Sequence, residues 1–168
     1  METIKLQSGT EVLIRPIRPD DGPRIETAFD RLSPRTRYQR FLSSKPRLTK
    51  ADTRYLVEVD GSDHVALVAT LTGDPEQIVG VGRFIRLPTD AKTAEFAIVV
   101  LDEFQSDGLG TALLQRLTDA ARDRGIERVT ATLLVDNPPV HRLLSRLSGE
   151  QSRRRFGPVE EIELRLAA

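Results

Sequence analysis

Cysteine is absent from this 168-residue chain, which excludes disulfides, thiolate metal sites and cysteine nucleophiles together. Histidine is scarce. His64 and His141 are the only two, too few for a multi-histidine metal site. Neither sign of charge is in excess: 25 Lys and Arg balance 25 Asp and Glu. A neutral chain with 5% aromatics argues against coating nucleic acid or an anionic membrane. No apolar run approaches ~18 residues, and METIKLQSGTE lacks the apolar core of a leader peptide. Internal repeats, low-complexity tracts and dividing linkers are also missing. The expectation is a single domain over residues 1–168, metal-free and cytoplasmic, with no nucleic-acid or membrane partner. A chain of this size can bury roughly two-thirds of its unfolded surface and needs no staples.

What is present alternates between strand and helix signals. Thr10 to Arg18 reads as a first strand. Pro19, Asp20 and Asp21 open a helix carrying Ile25, Ala28, Phe29 and Leu32 at helical spacing. Ser33-Pro34 opens a second helix, holding Tyr38, Phe41 and Leu42, and Thr49 with Asp52 opens a third that runs to about Val59. His64 to Thr72 and Ile78 to Leu87 read as antiparallel strands about a Gly73-Asp74-Pro75 turn. Ala94 to Leu101 reads as a buried central strand. Leu109, Leu113, Leu117 and Ala121 mark one face of a long helix closed by Gly125, followed by a strand over Arg128 to Val135. A short helix after Asn137-Pro138-Pro139 and a strand pair about Gly157-Pro158 complete the chain. This is a mixed α/β fold, mainly antiparallel, with helices on both faces. Its one strand–helix–strand crossover, Glu95 to Val135, should be parallel and right-handed.

Chemistry concentrates where that buried strand runs into Gln105-Ser106-Asp107-Gly108-Leu109-Gly110-Thr111. Free amides at the start of a long helix, with the helix dipole behind them, suit an anion, and a diphosphate is the natural occupant. A helix entry that uses its glycines only for packing is the other reading. No Gly-Lys-Ser/Thr follows, so this is not a P-loop. A dinucleotide fingerprint would need GxGxxG directly after the first strand of a parallel unit.

Gln105-Ser106-Asp107-Gly108-Leu109-Gly110 resembles the Q/R-x-x-G-x-G/A signature of the GNAT superfamily of acyl-CoA-dependent N-acyltransferases. AEFAIVV before it, LLQRLTDAARDRGIERVTATLLVDN after it and Asn137 fall where that family has its central strand, cofactor helix, next strand and asparagine. The resemblance covers roughly Thr10 to Ala168. GTEVLIRPIRPDD and LSPRTRYQRF are also similar to the acetyltransferase domain of bacterial protein-lysine acetylases.

The resemblance implies acetyl-CoA as co-substrate, with no metal. Backbone amides of Gln105, Ser106, Asp107, Gly108, Leu109, Gly110 and Thr111 would hold its diphosphate. Val99, Val100 and Leu101 would pair with its pantetheine arm where the central strand splays from its neighbour, an added-strand arrangement. Asn137 would touch the arm, or serve as the cap of the following helix, or both. Two departures stand out. Asp107 puts a carboxylate beside the diphosphate site unless it points outward. Leu144 occupies the place of the tyrosine that many members use to protonate the leaving thiolate, and His141 is either a substitute for it or an inert surface histidine.

Transfer to an amine needs a base for the ammonium proton. Glu95, at the start of the buried strand, is the candidate. Desolvation by its apolar neighbours would suit it to that task, whereas an ion pair with Arg83 or Arg86 would make it structural. Glu103 and Asp136 are weaker candidates. Arg31, Arg35, Arg37, Arg40, Lys45, Arg47 and Lys50 form a stretch without acidic residues, either a basic rim for an acidic acceptor or a solvated helix face. Arg153, Arg154 and Arg155 either approach the coenzyme's 3′-phosphate or protect an edge strand. The function expected is acetyl transfer to a primary amine, on a protein lysine or a small molecule, in a ternary complex. The alternative is a catalytically silent acyl-CoA-binding regulatory domain.

Overall fold

The structure is a computed structural model that describes residues 1–42, 46–134, 138–147 and 149–166. Eight strands form one sheet: β1 (Glu2–Lys5), β2 (Glu11–Pro16), β3 (His64–Leu71), β4 (Asp74–Leu87), β5 (Asp90–Val100), β6 (Arg128–Leu134), β7 (Gln151–Phe156) and β8 (Val159–Arg165). Their spatial order is β1-β2-β3-β4-β5-β6-β8-β7. Every neighbouring pair is antiparallel except β5 with β6, the two strands joined by the long helix. The helices are α1 (Gly22–Asp30), α2 (Pro34–Phe41), α3 (Lys50–Val57), α4 (Leu109–Asp123) and α5 (Pro138–Ser145). None among the described residues is long and apolar enough to cross a membrane.

Local chemistry sets the helix starts. Ser33 caps α2 by accepting from the Thr36 amide at 3.1 Å, and Thr49 and Asp52 close a reciprocal capping box at α3. Leu42 ends α2 in the left-handed region, φ 54°. Between β2 and α1, Pro19–Asp21 forms a single 3₁₀ turn that runs directly into α1, as the helix start read from sequence requires. Asp21 is fully buried there and takes both guanidinium nitrogens of buried Arg15, at 2.7 and 2.8 Å. Burial alone would raise the Asp21 carboxyl, but the hydrogen bonds from Arg15 and the Arg18 amide outweigh it and hold it below the usual range.

Two apolar layers cover the sheet. On one face α1 and α3 place Ile25, Leu56 and Val57 against Ala66, Val68 and Ile78. On the other, α4 places Leu114, Leu117 and Ala121 against Phe84, Ala94, Phe96 and Val129. Each fully buried leucine of this kind contributes about 1.5–3 kcal/mol. The close seating of α4 depends on Gly82 of β4, where a Cβ would lie 2.7 Å from Leu117 Cδ1.

The structure departs from the sequence reading in places. β1 was not anticipated: its residues are mostly exposed and polar, as an edge strand allows. β4 and β5 extend back to Asp74 and Asp90, because their turns are tighter than the flanking Gly and Pro residues suggest. Ala97 to Val100 of β5 is only half-buried, for a reason that defines the site.

Candidate active site

β5 and β6 pair only through Thr93–Arg128, Ala94–Val129 and Glu95–Thr130. Beyond Glu95 the strands part. β6 keeps its full ladder with β8, and β5 keeps its ladder with β4, so a wedge opens between Phe96–Val100 and Ala131–Leu133. A broad groove open to solvent is built on this wedge. Glu95 stands at the apex of the wedge and lines the groove.

At the wide end, β5 runs through Leu101 and a short 3₁₀ turn into α4. Ser106 and Gly108 take left-handed conformations, φ 60° and 92°, which turn the chain sharply onto the helix. Gly108 is the N-cap, and no side chain caps α4 there. The first intrahelical bond is made by Ala112, from its amide to the Gly108 carbonyl at 3.1 Å. The amides of the first turn are thus left without intrahelical acceptors at the groove, beside the positive end of a 15-residue helix. Ser106, Gly108, Gly110 and Thr111 all line it. Arg142 of α5 and Arg146, just past its end, also line the groove, and Arg146 Nη1 donates to Thr111 Oγ1 at 2.8 Å.

α2 closes the opposite wall. Asp102, just past β5, accepts from the Ser33 amide (3.2 Å), Ser33 Oγ (2.7 Å) and Thr36 Oγ1 (3.0 Å). Burial would raise this carboxyl, but those hydrogen bonds prevail and hold it below the carboxylate range. The tether fixes the start of α2 against the end of β5, and the helix then carries Arg40 into the groove. Arg40 also lines a smaller, largely apolar cavity under α1 and α3, together with Arg83 of β4. Arg83 is 3% exposed. Burial and the Arg40 charge pull its pKa down to about 9. Its Nη1 lies 3.0 Å from the Leu56 carbonyl oxygen and 3.0 Å from His64 Nε2. Burial, then the Arg83 charge, push His64 down to about 4, so its ring is neutral at pH 7 and accepts from Arg83.

The residues singled out from sequence divide as follows. Glu95, Val99, Val100, Gln105, Ser106, Gly108, Gly110 and Thr111 line the groove. Leu101 and Leu109, 3% and 0% exposed, lie beneath it in the core. Gln105 Nε2 donates to the Val100 carbonyl at 3.0 Å, linking loop to strand. The Asp107 carboxylate turns out to Ser8. Asn137 and Asp136 lie outside the described residues. Glu95 is exposed, not desolvated: strand alternation sends Ala94 and Phe96 to the α4 core and Glu95 to the open face. It does not pair with Arg83, nor with Arg86, which binds Asp63.

Other candidates fall away from the groove. Glu103 is ion-paired with Arg31 on the surface. His141 lies 3.5 Å from Glu160 against β8 and does not line the groove, whereas Leu144 does line it, 6% exposed and packed on Ala131, Leu133 and Ile162. Arg37 is occupied near the surface, donating to the carbonyls of Phe29, Asp30 and Pro46. Arg153, Arg154 and Arg155 lie on edge strand β7, outside the groove lining. Sequence reasoning missed Arg142 and Arg146, and weighed Arg83 only as an ion-pair partner of Glu95. Arg83 had a visible signal, a lone charge inside the apolar run IVGVGRFI.

Residues 27–149 match the acetyltransferase (GNAT) family. The chain is 32% identical over 156 residues to acetyltransferase Pat of Mycolicibacterium smegmatis, covering 93% of this chain and 46% of that protein. It is 34% identical over 125 residues to acetyltransferase PA5475 of Pseudomonas aeruginosa, covering 74% of this chain and 67% of that one. It thus spans about half the length of the first relative. Among solved structures, the GNAT domain of S. lividans PAT superposes with a TM-score of 0.89 at 29% identity, covering 98% of this chain and 96% of that domain. The parted β5–β6 pair, the uncapped start of α4 and these likenesses agree, and the chain belongs to the GNAT family of acetyltransferases.

Proposed function

We propose that this chain uses acetyl-CoA to acetylate a primary amine, on a protein lysine or a small molecule, directly in a ternary complex. The wedge beyond Glu95 carries the reading: an extended, amide-bearing ligand can occupy the ladder that β6 leaves open along Phe96–Val100. The uncapped amides from Gly108 to Thr111, with Arg142 and Arg146 across from them, fit the diphosphate at its far end. Acetyl-CoA supplies an activated acyl thioester. The chain's own task is to orient it and to take a proton from the incoming ammonium.

Glu95 at the apex is the group placed to take that proton, directly or through one water. The absence of cysteine excludes a cysteinyl acyl-enzyme, which favours direct transfer. A second reading, a silent acyl-CoA-binding domain, draws support from Leu144, an apolar side chain where a thiolate-protonating group would stand.

Calorimetry with acetyl-CoA, run beside a thiol-release assay over amines, lysine peptides and proteins, separates the two. We expect binding and acceptor-dependent thiol release. Binding without release over the whole panel establishes the silent domain. No binding at all overturns both readings.

A further inference from the structure

Among the described residues, two buried arginines lie on the sheet, and the fold treats them differently. Arg15, 4% exposed, is neutralised by both oxygens of Asp21. Arg83, 3% exposed, has no carboxylate within ion-pair distance among the described residues. Both of its hydrogen-bond contacts use Nη1, and their partners are a carbonyl and a neutral imidazole, so Nη2 and Nε remain open. Arg40 joins it on the same cavity. Its guanidinium lies 4.8 Å from the Phe41 ring centroid and makes no hydrogen bond among the described residues. Glu95 is the acidic group whose charge reaches Arg40, yet the two form no ion pair.

Two cations drawn together in a low-dielectric site repel each other and lose hydration. A planar carboxylate offers what both forks lack, two acceptor oxygens and a negative charge. The cavity also shares Arg40, Phe41 and Val99 with the main groove, so the two lie side by side with Arg40 between them. Its remaining walls are aliphatic or aromatic, including Ile25, Phe29, Leu56 and Ile78. A short hydrocarbon chain ending in a carboxylate matches that lining.

We propose that Arg40 and Arg83 form a carboxylate subsite opening off the groove, filled by a carboxylate carried on the acyl chain of the thioester or on the amine acceptor. The proposal rests on the acyltransferase reading for the identity of its ligand, while the arginine pair can be tested separately.

The full chain is titrated with two matched pairs of probes. Succinyl-CoA against acetyl-CoA tests the donor, and 4-aminobutyrate against butylamine tests the acceptor. One pair should favour its carboxylate member at least tenfold in Kd, and that pair identifies the source. Arg40→Gln should bring the ratio close to one, as should Arg83→Met. In parallel, free succinate should shift the Nε–Hε resonances of Arg40 and Arg83. No discrimination in either pair and no succinate shift overturn the subsite, as does a preference that survives in both variants. Failure of acetyl-CoA to bind, with the succinate shift intact, removes the acyltransferase reading and leaves the subsite standing.

Discussion

Asp107 and Ser8, 99 residues apart, hold each other through two short hydrogen bonds: the Ser8 amide donates to Asp107 Oδ1 at 2.7 Å and Ser8 Oγ to Oδ2 at 2.6 Å. The Gln7 amide adds a third link, to the Asp107 carbonyl at 3.2 Å. The turn after β1 is thereby fastened to the loop that starts α4. The Asp107 carboxylate, odd in sequence, is thus a tether, and Asp107 is absent from the groove lining. Asp107→Arg therefore does not simply add helpful charge. We expect it to cost about 1–2 kcal/mol of stability, since two bonded partners lose their acceptor. Acetyl-CoA affinity should fall with it, because the loop is freed. Thermal unfolding of Asp107→Arg, Ser8→Ala and the double variant tests the tether: additive losses would show that the two residues act separately.

At the two glycines the effects should separate. Gly108 sits at φ 92°, where a β-branched side chain is strained by roughly 1–3 kcal/mol, so Gly108→Val should lower both Tm and acetyl-CoA affinity. At Gly110 a Cβ would be 3.6 Å from Leu143 Cδ2, an ordinary contact. Gly110→Val should therefore keep the fold and lose affinity at least tenfold, by blocking approach to the first-turn amides. Calorimetry on folded Gly110→Val that shows unchanged affinity removes the loop from the coenzyme site.

How much of this was legible in the sequence follows from how local each feature is. The α2 and α3 starts were, because Ser33 and Thr49 cap them within three residues. The parallel crossover was too, since strand, glycine turn, long helix and strand follow one another directly. β1 was not: Thr3 and Lys5 carry no apolar alternation, and the strand exists because β2 offers it an edge. The Asp107–Ser8 tether and the Arg40–Arg83 pair join residues far apart in the chain, so no spacing rule could reveal them. The burial expected of Glu95 failed for a related reason. An apolar run predicts the core for the face that meets α4, not for the face turned to the wedge.

His64 should make stability depend on pH in a window of its own. Its folded pKa is near 4 against 6.5 for the free side chain, so the unfolded chain binds the extra proton between these values. Stability is therefore complete above about pH 6.5 and declines as pH falls toward 4, by at most about 3 kcal/mol. Asp21 and Asp102, whose folded values lie below 3.8, add their losses only below about pH 4. Denaturant unfolding of the wild type and His64→Gln from pH 7 to 4 tests this. The variant should show a flatter profile in that range; parallel profiles would assign the loss elsewhere.

Glu95 has no ion-pair partner among the described residues, so the structure offers it little to do for stability. Glu95→Gln keeps its volume and should change stability by no more than about 0.5 kcal/mol. Coenzyme affinity should also hold, since the loop and the far end of β5 are untouched. Turnover is different: an amide cannot accept the ammonium proton, and loss of general-base assistance costs about 10²–10⁴ in rate. The loss should shrink as pH rises, because more of the acceptor amine is then already neutral. An effect on positioning alone would lower turnover equally at every pH. The measurement is kcat/KM from pH 6 to 10 for both forms, with Tm and acetyl-CoA Kd taken on the same samples. Unchanged turnover, or a deficit that does not move with pH, would reject Glu95 as the base. Glu103 is held by Arg31 away from the groove and offers no ready replacement, so the proton would then pass to solvent.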